Sequence, residues 1–137
     1  MSIIAISRGT FSGGEALARR VAERLQYRCL SREANLEAAA QRYMVPADEL
    51  TTTMDKRPSF WERMLGERAA YLAFVRATLC EEAHGGRLVY HGYLGQFLLA
   101  GISHVISVRV IADAGFRIQA AQRQQNCGRE DAVAYIG

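Results

Sequence analysis

The chain opens with an apolar run, Ile3-Ile4-Ala5-Ile6, that enters a small-residue turn, Gly9-Thr10-Phe11-Ser12-Gly13-Gly14, and leaves it with the periodicity of an amphipathic helix. Strand, tight glycine-bearing loop and helix in that order bring main-chain amides and the positive end of a helix dipole to one point, which is how proteins cradle phosphate. The loop departs from the standard GxxxxGK[ST] pattern, whose lysine reaches the phosphates and whose hydroxyl holds magnesium. Gly14 and Ala16 stand in the stretch where those side chains would lie, Glu15 adds a negative charge between them, and Lys56 is the only lysine in the chain. The nearest cation is Arg8, where strand turns into loop, and the loop's hydroxyls are Thr10 and Ser12.

A chain of 137 residues, half of them apolar, is long enough for one core and implies a single compact domain over residues 1–137. No apolar run has the length of a membrane span, and the N-terminus lacks a secretory pattern, so a cytoplasmic protein without membrane partners is expected. Cys29, Cys80 and Cys127 are odd in number and belong to no CxxC or Cys/His cluster. They read as reduced packing thiols, with neither a disulfide framework nor a metal site. The net charge of +3 comes from scattered arginines rather than a basic block. That pattern describes a solvated surface, and no nucleic-acid partner is expected.

Leu17, Val21 and Leu25, with Ala18 and Ala22 beside them, predict a helix after the loop that buries this stripe. A short strand is expected over 27–30, a helix over 32–43, and another opened by Pro46. The pattern lapses between Thr51 and Pro58, which predicts a mobile link or turn. Ser59 and Glu62 have capping-box spacing, and a helix restarting there would carry Leu65, Ala69, Leu72, Val75 and Leu79 to His84 and the Gly85-Gly86 stop. Leu88–His91 reads as a buried strand ending at Gly92, Val105–Ile111 as a second, and Asp113 as the cap of a helix over 114–125, with one more from Arg129. Strands separated by helices imply a mainly parallel sheet, with ligands at the carboxyl ends of its strands.

Ile6-Ser7-Arg8, Ser12-Gly13-Gly14, Ser31-Arg32-Glu33, Ser59-Phe60-Trp61-Glu62-Arg63, Val89-Tyr90-His91-Gly92 and Val108-Arg109-Val110-Ile111-Ala112, in this order, resemble the cytidylate kinase-like branch of the nucleoside monophosphate kinases. The resemblance spans nearly the whole chain. It implies an α/β, three-layer P-loop kinase-like fold with a mainly parallel sheet flanked by helices, a helical monophosphate-binding insert around 32–65, and a lid that is absent or truncated.

It also implies a reaction, the transfer of the terminal phosphoryl of ATP, with Mg2+, to a pyrimidine nucleoside monophosphate such as CMP or dCMP. Such transfer rests on positioning and charge neutralisation. Gly9, Thr10, Phe11, Ser12, Gly13, Gly14, Glu15 and Ala16 would face the ATP phosphates, and Arg8 and Arg117 are the catalytic cations implied. Arg32, His91, Gly92 and Tyr93 would attend the monophosphate, Tyr93 standing where the family usually has arginine. For His91, the plainer reading is a core histidine with a backbone partner. Two other functions stay open: a nucleotide- or phosphate-sensing module that binds without reacting, and a homo-oligomer joined through Phe60, Trp61, Met64 and Leu65.

Overall fold

The computed structural model describes residues 2–56 and 66–136 and, at Glu67, the backbone alone. The elements, in chain order, are β1 (Ile3–Arg8), α1 (Gly14–Leu25), β2 (Arg28–Ser31), α2 (Arg32–Tyr43), α3 (Ala47–Asp55), α4 (Glu67–Ala83), β3 (Leu88–Gly92), α5 (Gly95–Leu98), β4 (Val105–Val110), α6 (Ala114–Gln125) and α7 (Arg129–Ile136). The four strands form a parallel sheet in the order β2-β3-β1-β4. The loop after β1 therefore leaves the sheet between the ends of β3 and β4, near the side chains those ends carry.

Alternation along β1 and β3 divides the core into two layers. Ile3, Ala5, Leu88 and Tyr90 point to one face and pack with Leu36, Ala39 and Ala40 of α2, Leu50 and Met54 of α3, and Val75, Leu79 and Ala83 of α4. Ile6 and Val89 point to the other, against Ala18 and Ala22 of α1. The chain is thus a three-layer α/β fold. Ile118, Ala121 and Ala132 form a third, smaller core between α6 and α7, which Phe11 of the loop packs against.

The buried stripe of α1 differs from the expected one. Leu17 and Leu25 are exposed at 42% and 47%, while Gly14, Ala18 and Ala22 are buried. Residues at i, i+4 and i+8 without bulk let the helix axis approach the sheet, and that brings the start of α1 up to the end of β1. Replacing Ala18, fully buried, with leucine is expected to cost about 1–3 kcal/mol by overpacking. Urea unfolding would read this as a lower midpoint, and an unchanged midpoint would mean the helix can lift without penalty.

The expected link over 51–58 is corrected for Thr51–Asp55, which belong to α3, and its residues 57–58 lie outside the described residues. Leu50 and Met54, four residues apart, both bury against α2 and α4, and Thr51 returns its hydroxyl to the carbonyl of Ala47 at 2.8 Å. Tertiary anchoring outweighs the poor helix propensity of three threonines. The expected capping pair Ser59–Glu62 and the cluster Phe60, Trp61, Met64 and Leu65 lie outside the described residues. The second strand starts one residue later than expected, and Ser31 caps α2 by accepting the Ala34 amide at 3.1 Å. Helix α5, a single turn, had no counterpart among the sequence expectations.

Candidate functional site

The carboxyl ends of β1 and β3 place Arg8 and His91 side by side, since Ile6 is in register with His91. Arg8 Nε donates to His91 Nδ1 at 3.1 Å, and its Nη2 lies 3.5 Å from Glu33 Oε2 on α2. The imidazole thus finds a side-chain partner, not the backbone partner that sequence alone suggests. The guanidinium reaches it from the neighbouring strand, because β1 and β3 pair in parallel. An accepting Nδ1 places the neutral ring's proton on Nε2.

His91 is 3% exposed, and burial first, then the Arg8 cation, holds its pKa below the usual 6.5. An unfolded histidine takes up a proton as pH falls through about 6.5, so below that value the unfolded chain binds more protons than the folded one and stability falls with pH. The thermal midpoint is expected to decline from about pH 7 to pH 5, and less steeply in His91→Gln. Circular dichroism melts across that range check it; equal slopes in both proteins would mean that other groups set the dependence.

The loop turns through two left-handed residues, Phe11 (φ 56°) and Gly13 (φ 80°), before α1 begins at Gly14. Gly13 offers no capping side chain. Ser12 is buried and accepts the Gly14 amide at 3.4 Å, while the residues of the helix's first turn line an open cavity of about 340 Å³. Arg8, Gly9, Phe11, Gly13, Glu15 and Ala16 line that cavity, with Arg19 and Gln124 at its rim. Glu15 pairs with Arg19 at 2.8 Å, which turns its charge along the helix surface. A Cβ on Gly14 would stand 2.4 Å from the Arg8 Cβ, so glycine is what lets the arginine lie across the start of the helix.

Beside the loop, Arg117 Nε donates to the Thr10 carbonyl at 2.9 Å and Nη2 to the Ile136 carbonyl at 3.0 Å. Arg117 therefore clamps the loop to the α6–α7 hairpin. Thr10 Oγ1 meets the Tyr93 hydroxyl at 3.3 Å, and the Tyr93 ring lies under the Arg32 guanidinium, 5.4 Å from carbon to ring centre. Arg32 is also paired with Asp55 at the end of α3. Gly92, at φ 154°, admits no side chain, because a Cβ would stand 2.4 Å from the Arg32 Cβ.

Arg32 and Tyr93, with Asp55 and Lys56, are polar residues lining a second cavity, of about 400 Å³. Its walls are Leu36, Met54, Leu72, Val75, Tyr90 and Leu98. Arg68 lies at its edge, its guanidinium donating to the carbonyls of Thr53, Met54 and Lys56 and so closing the C-terminus of α3. Burial pushes the Tyr90 hydroxyl up to about 12, and it donates to the Tyr93 carbonyl at 3.3 Å.

The structure thus brings Arg8, Gly9 to Ala16, Arg32, His91, Gly92, Tyr93 and Arg117 into one region at the carboxyl end of the sheet. Sequence reasoning missed Asp55, Arg68 and the apolar wall as site residues. Asp55 and Arg68 carry no local motif, while Leu72 and Val75 showed only the periodicity of core residues.

The sequence matches the profile of the cytidylate kinase-like family over residues 3–137. The chain belongs to the cytidylate kinase-like family. No curated protein matches it. Among solved structures, it is similar to an uncharacterized protein from Eubacterium ventriosum, with a TM-score of 0.70, 16% identity, and 99% of this chain covered against 69% of that one. A second similar structure is TT1252 from Thermus thermophilus, with a TM-score of 0.59, 22% identity, and coverage of 98% and 78%. At these identities, the likeness concerns the fold. Membership in a cytidylate kinase-like family supports a nucleotide as ligand, and among the described residues no helix is long and apolar enough to cross a membrane.

Proposed function

We propose that this cytidylate kinase-like chain binds ATP on the loop from Gly9 to Ala16 and passes its terminal phosphoryl to a pyrimidine nucleoside monophosphate, CMP or dCMP, seated in the cavity that Arg32 and Tyr93 help to line. The observation that carries this reading is the fixed position of Arg8, held by His91 and Glu33 at the mouth of the loop cavity. A guanidinium oriented in this way supplies the charge that a loop lysine otherwise brings.

In this reaction, a phosphate oxygen of the monophosphate bonds to the γ-phosphorus while the bond to the β–γ bridging oxygen breaks, releasing ADP. The acceptor oxygen is already anionic, so the protein's part is to position the two nucleotides and balance charge. Arg32, stacked on Tyr93 and paired with Asp55, would hold the acceptor phosphate, and the apolar wall would receive its base. Magnesium would come with ATP and keep most of its ligands from phosphate and water. Ser12 Oγ, which among the described residues accepts one bond, from the Gly14 amide, fits it as an oxygen donor.

ADP formation from ATP and magnesium with CMP or dCMP, followed by a coupled assay, tests the proposal. Turnover that depends on the monophosphate is expected, and none above background with any nucleoside monophosphate would end it. The Arg117 clamp favours a second reading, a module that binds nucleotide without reacting it, because its guanidinium is committed to two carbonyls rather than to a ligand. That reading predicts a raised melting temperature with ATP, by about 2.7 kcal/mol of stabilisation at a hundredfold over Kd, and no ADP.

A further inference from the structure

Arg32 and Asp55 pair in the lining of the apolar cavity, and each stands at the wrong end of its helix for its charge. Arg32 is the first residue of α2 and Asp55 the last of α3. A cation at a helix N-terminus and an anion at a helix C-terminus both oppose the helix dipole. What either charge does for its own helix therefore does not explain the pair. The C-terminus of α3 is closed by another group, the Arg68 guanidinium, through the carbonyls of Thr53, Met54 and Lys56.

The two partners also differ in freedom. The Arg32 side chain is 14% exposed and that of Asp55 55%. Arg32 has other restraints besides its ion pair: the Tyr93 ring lies under its guanidinium, and its Cβ packs against the bare Cα of Gly92. Asp55 has, among the described residues, no partner but Arg32. The carboxylate can therefore swing into water at the cost of one partly exposed ion pair, while the guanidinium stays in place.

We propose that Asp55 is an internal competitor for the acceptor phosphate: its carboxylate occupies the Arg32 guanidinium until a phosphorylated ligand displaces it, and so sets the affinity of the cavity for such ligands. The proposal rests on the acceptor reading above, in which Arg32 holds the phosphate. Carboxylate and phosphate each present two oxygens to the fork of a guanidinium, so one replaces the other without moving Arg32. A doubly charged phosphate gains more from the cation than the carboxylate gives up, whereas a ligand without an anionic group leaves the ion pair intact. Lys56, the residue after Asp55, lines the same cavity and brings a second positive charge to the incoming group.

Calorimetric titration of the full chain, Asp55→Asn and Arg32→Gln with CMP and, separately, with cytidine tests this, in about 0.15 M KCl to screen long-range charge. Asp55→Asn keeps the shape of the side chain and removes the competing charge. It is expected to bind CMP about three- to tenfold more tightly than the unaltered chain, and cytidine, which has no phosphate, within about twofold of it. Arg32→Gln is expected to weaken CMP binding about tenfold or more. If Arg32→Gln weakens CMP binding but Asp55→Asn leaves it unchanged or weaker, the proposal is overturned and the acceptor reading stands, because Asp55 then orients Arg32 or takes no part. CMP binding that Arg32→Gln does not alter, or that none of the three proteins shows, overturns the acceptor reading and the proposal with it. A gain in Asp55→Asn shared equally by CMP and cytidine also overturns the proposal, since it would not depend on the phosphate. Circular dichroism of both variants keeps a folding defect from passing as a binding one.

Discussion

Arg8→Ala is expected to lower kcat by about 10²–10³-fold, the loss seen when one preorganised charge-stabilising donor is taken from a transition state. The reason is geometric. Arg8 ends β1, crosses the first residue of α1 where Gly14 leaves room, and is paired with His91 and Glu33, so under the proposed function it would meet the phosphates without reorganising. Arg8→Lys keeps the charge but loses the planar fork, and is expected to recover only part of the rate. Part of any loss could come through stability, since the buried His91 is left without its partner. Steady-state rates per folded molecule, with folded protein quantified by circular dichroism, separate the two. A fall of less than about threefold on that basis would remove Arg8 from the reaction.

Tyr90→Ala is expected to destabilise the fold by about 3–5 kcal/mol, as for other large aromatic truncations, out of a total of about 5–15 kcal/mol for a domain. Tyr90 is 1% exposed and packs at the centre of the larger core. Its ring lies so close under α5 that a Cβ on Gly95 would stand 2.9 Å from two of its atoms. The ring is also a wall of the apolar cavity, so its loss opens that cavity into the core. Tyr90→Phe keeps the ring and removes only the bond to the Tyr93 carbonyl, and should cost about 0.5–1.5 kcal/mol. Denaturant unfolding of the pair checks both; near-equal values would mean that the hydroxyl, not the ring, supports the site.

Much of the fold was legible because it is written in short-range patterns. The apolar run before Gly9, the β-branched run from Val105, the cap at Asp113 and the glycine stop after His84 each act within a few residues. The parallel α/β reading followed from their order. Thr51 to Asp55 was illegible for the opposite reason: its local propensities favour a break, and only Leu50 and Met54, packing against α2 and α4, hold the turns in place. The stripe of α1 was misplaced because periodicity marks a helix but does not say whether large or small residues meet the sheet. Close approach of the helix to β1 chose the small ones.

What the sequence by itself determined is the glycine-bearing turn between strand and helix, the parallel sheet it serves and the absence of a loop lysine, because each depends on residue type at neighbouring positions. Only the tertiary structure decided which distant side chains stand beside that turn. Arg8 and His91 are 83 residues apart, as are Thr10 and Tyr93, and Arg117 reaches back 107 residues to the loop. Such pairings arise from the strand order, which places the ends of β1, β3 and β4 together. No local pattern encodes that order, because it is selected by the burial of two sheet faces at once.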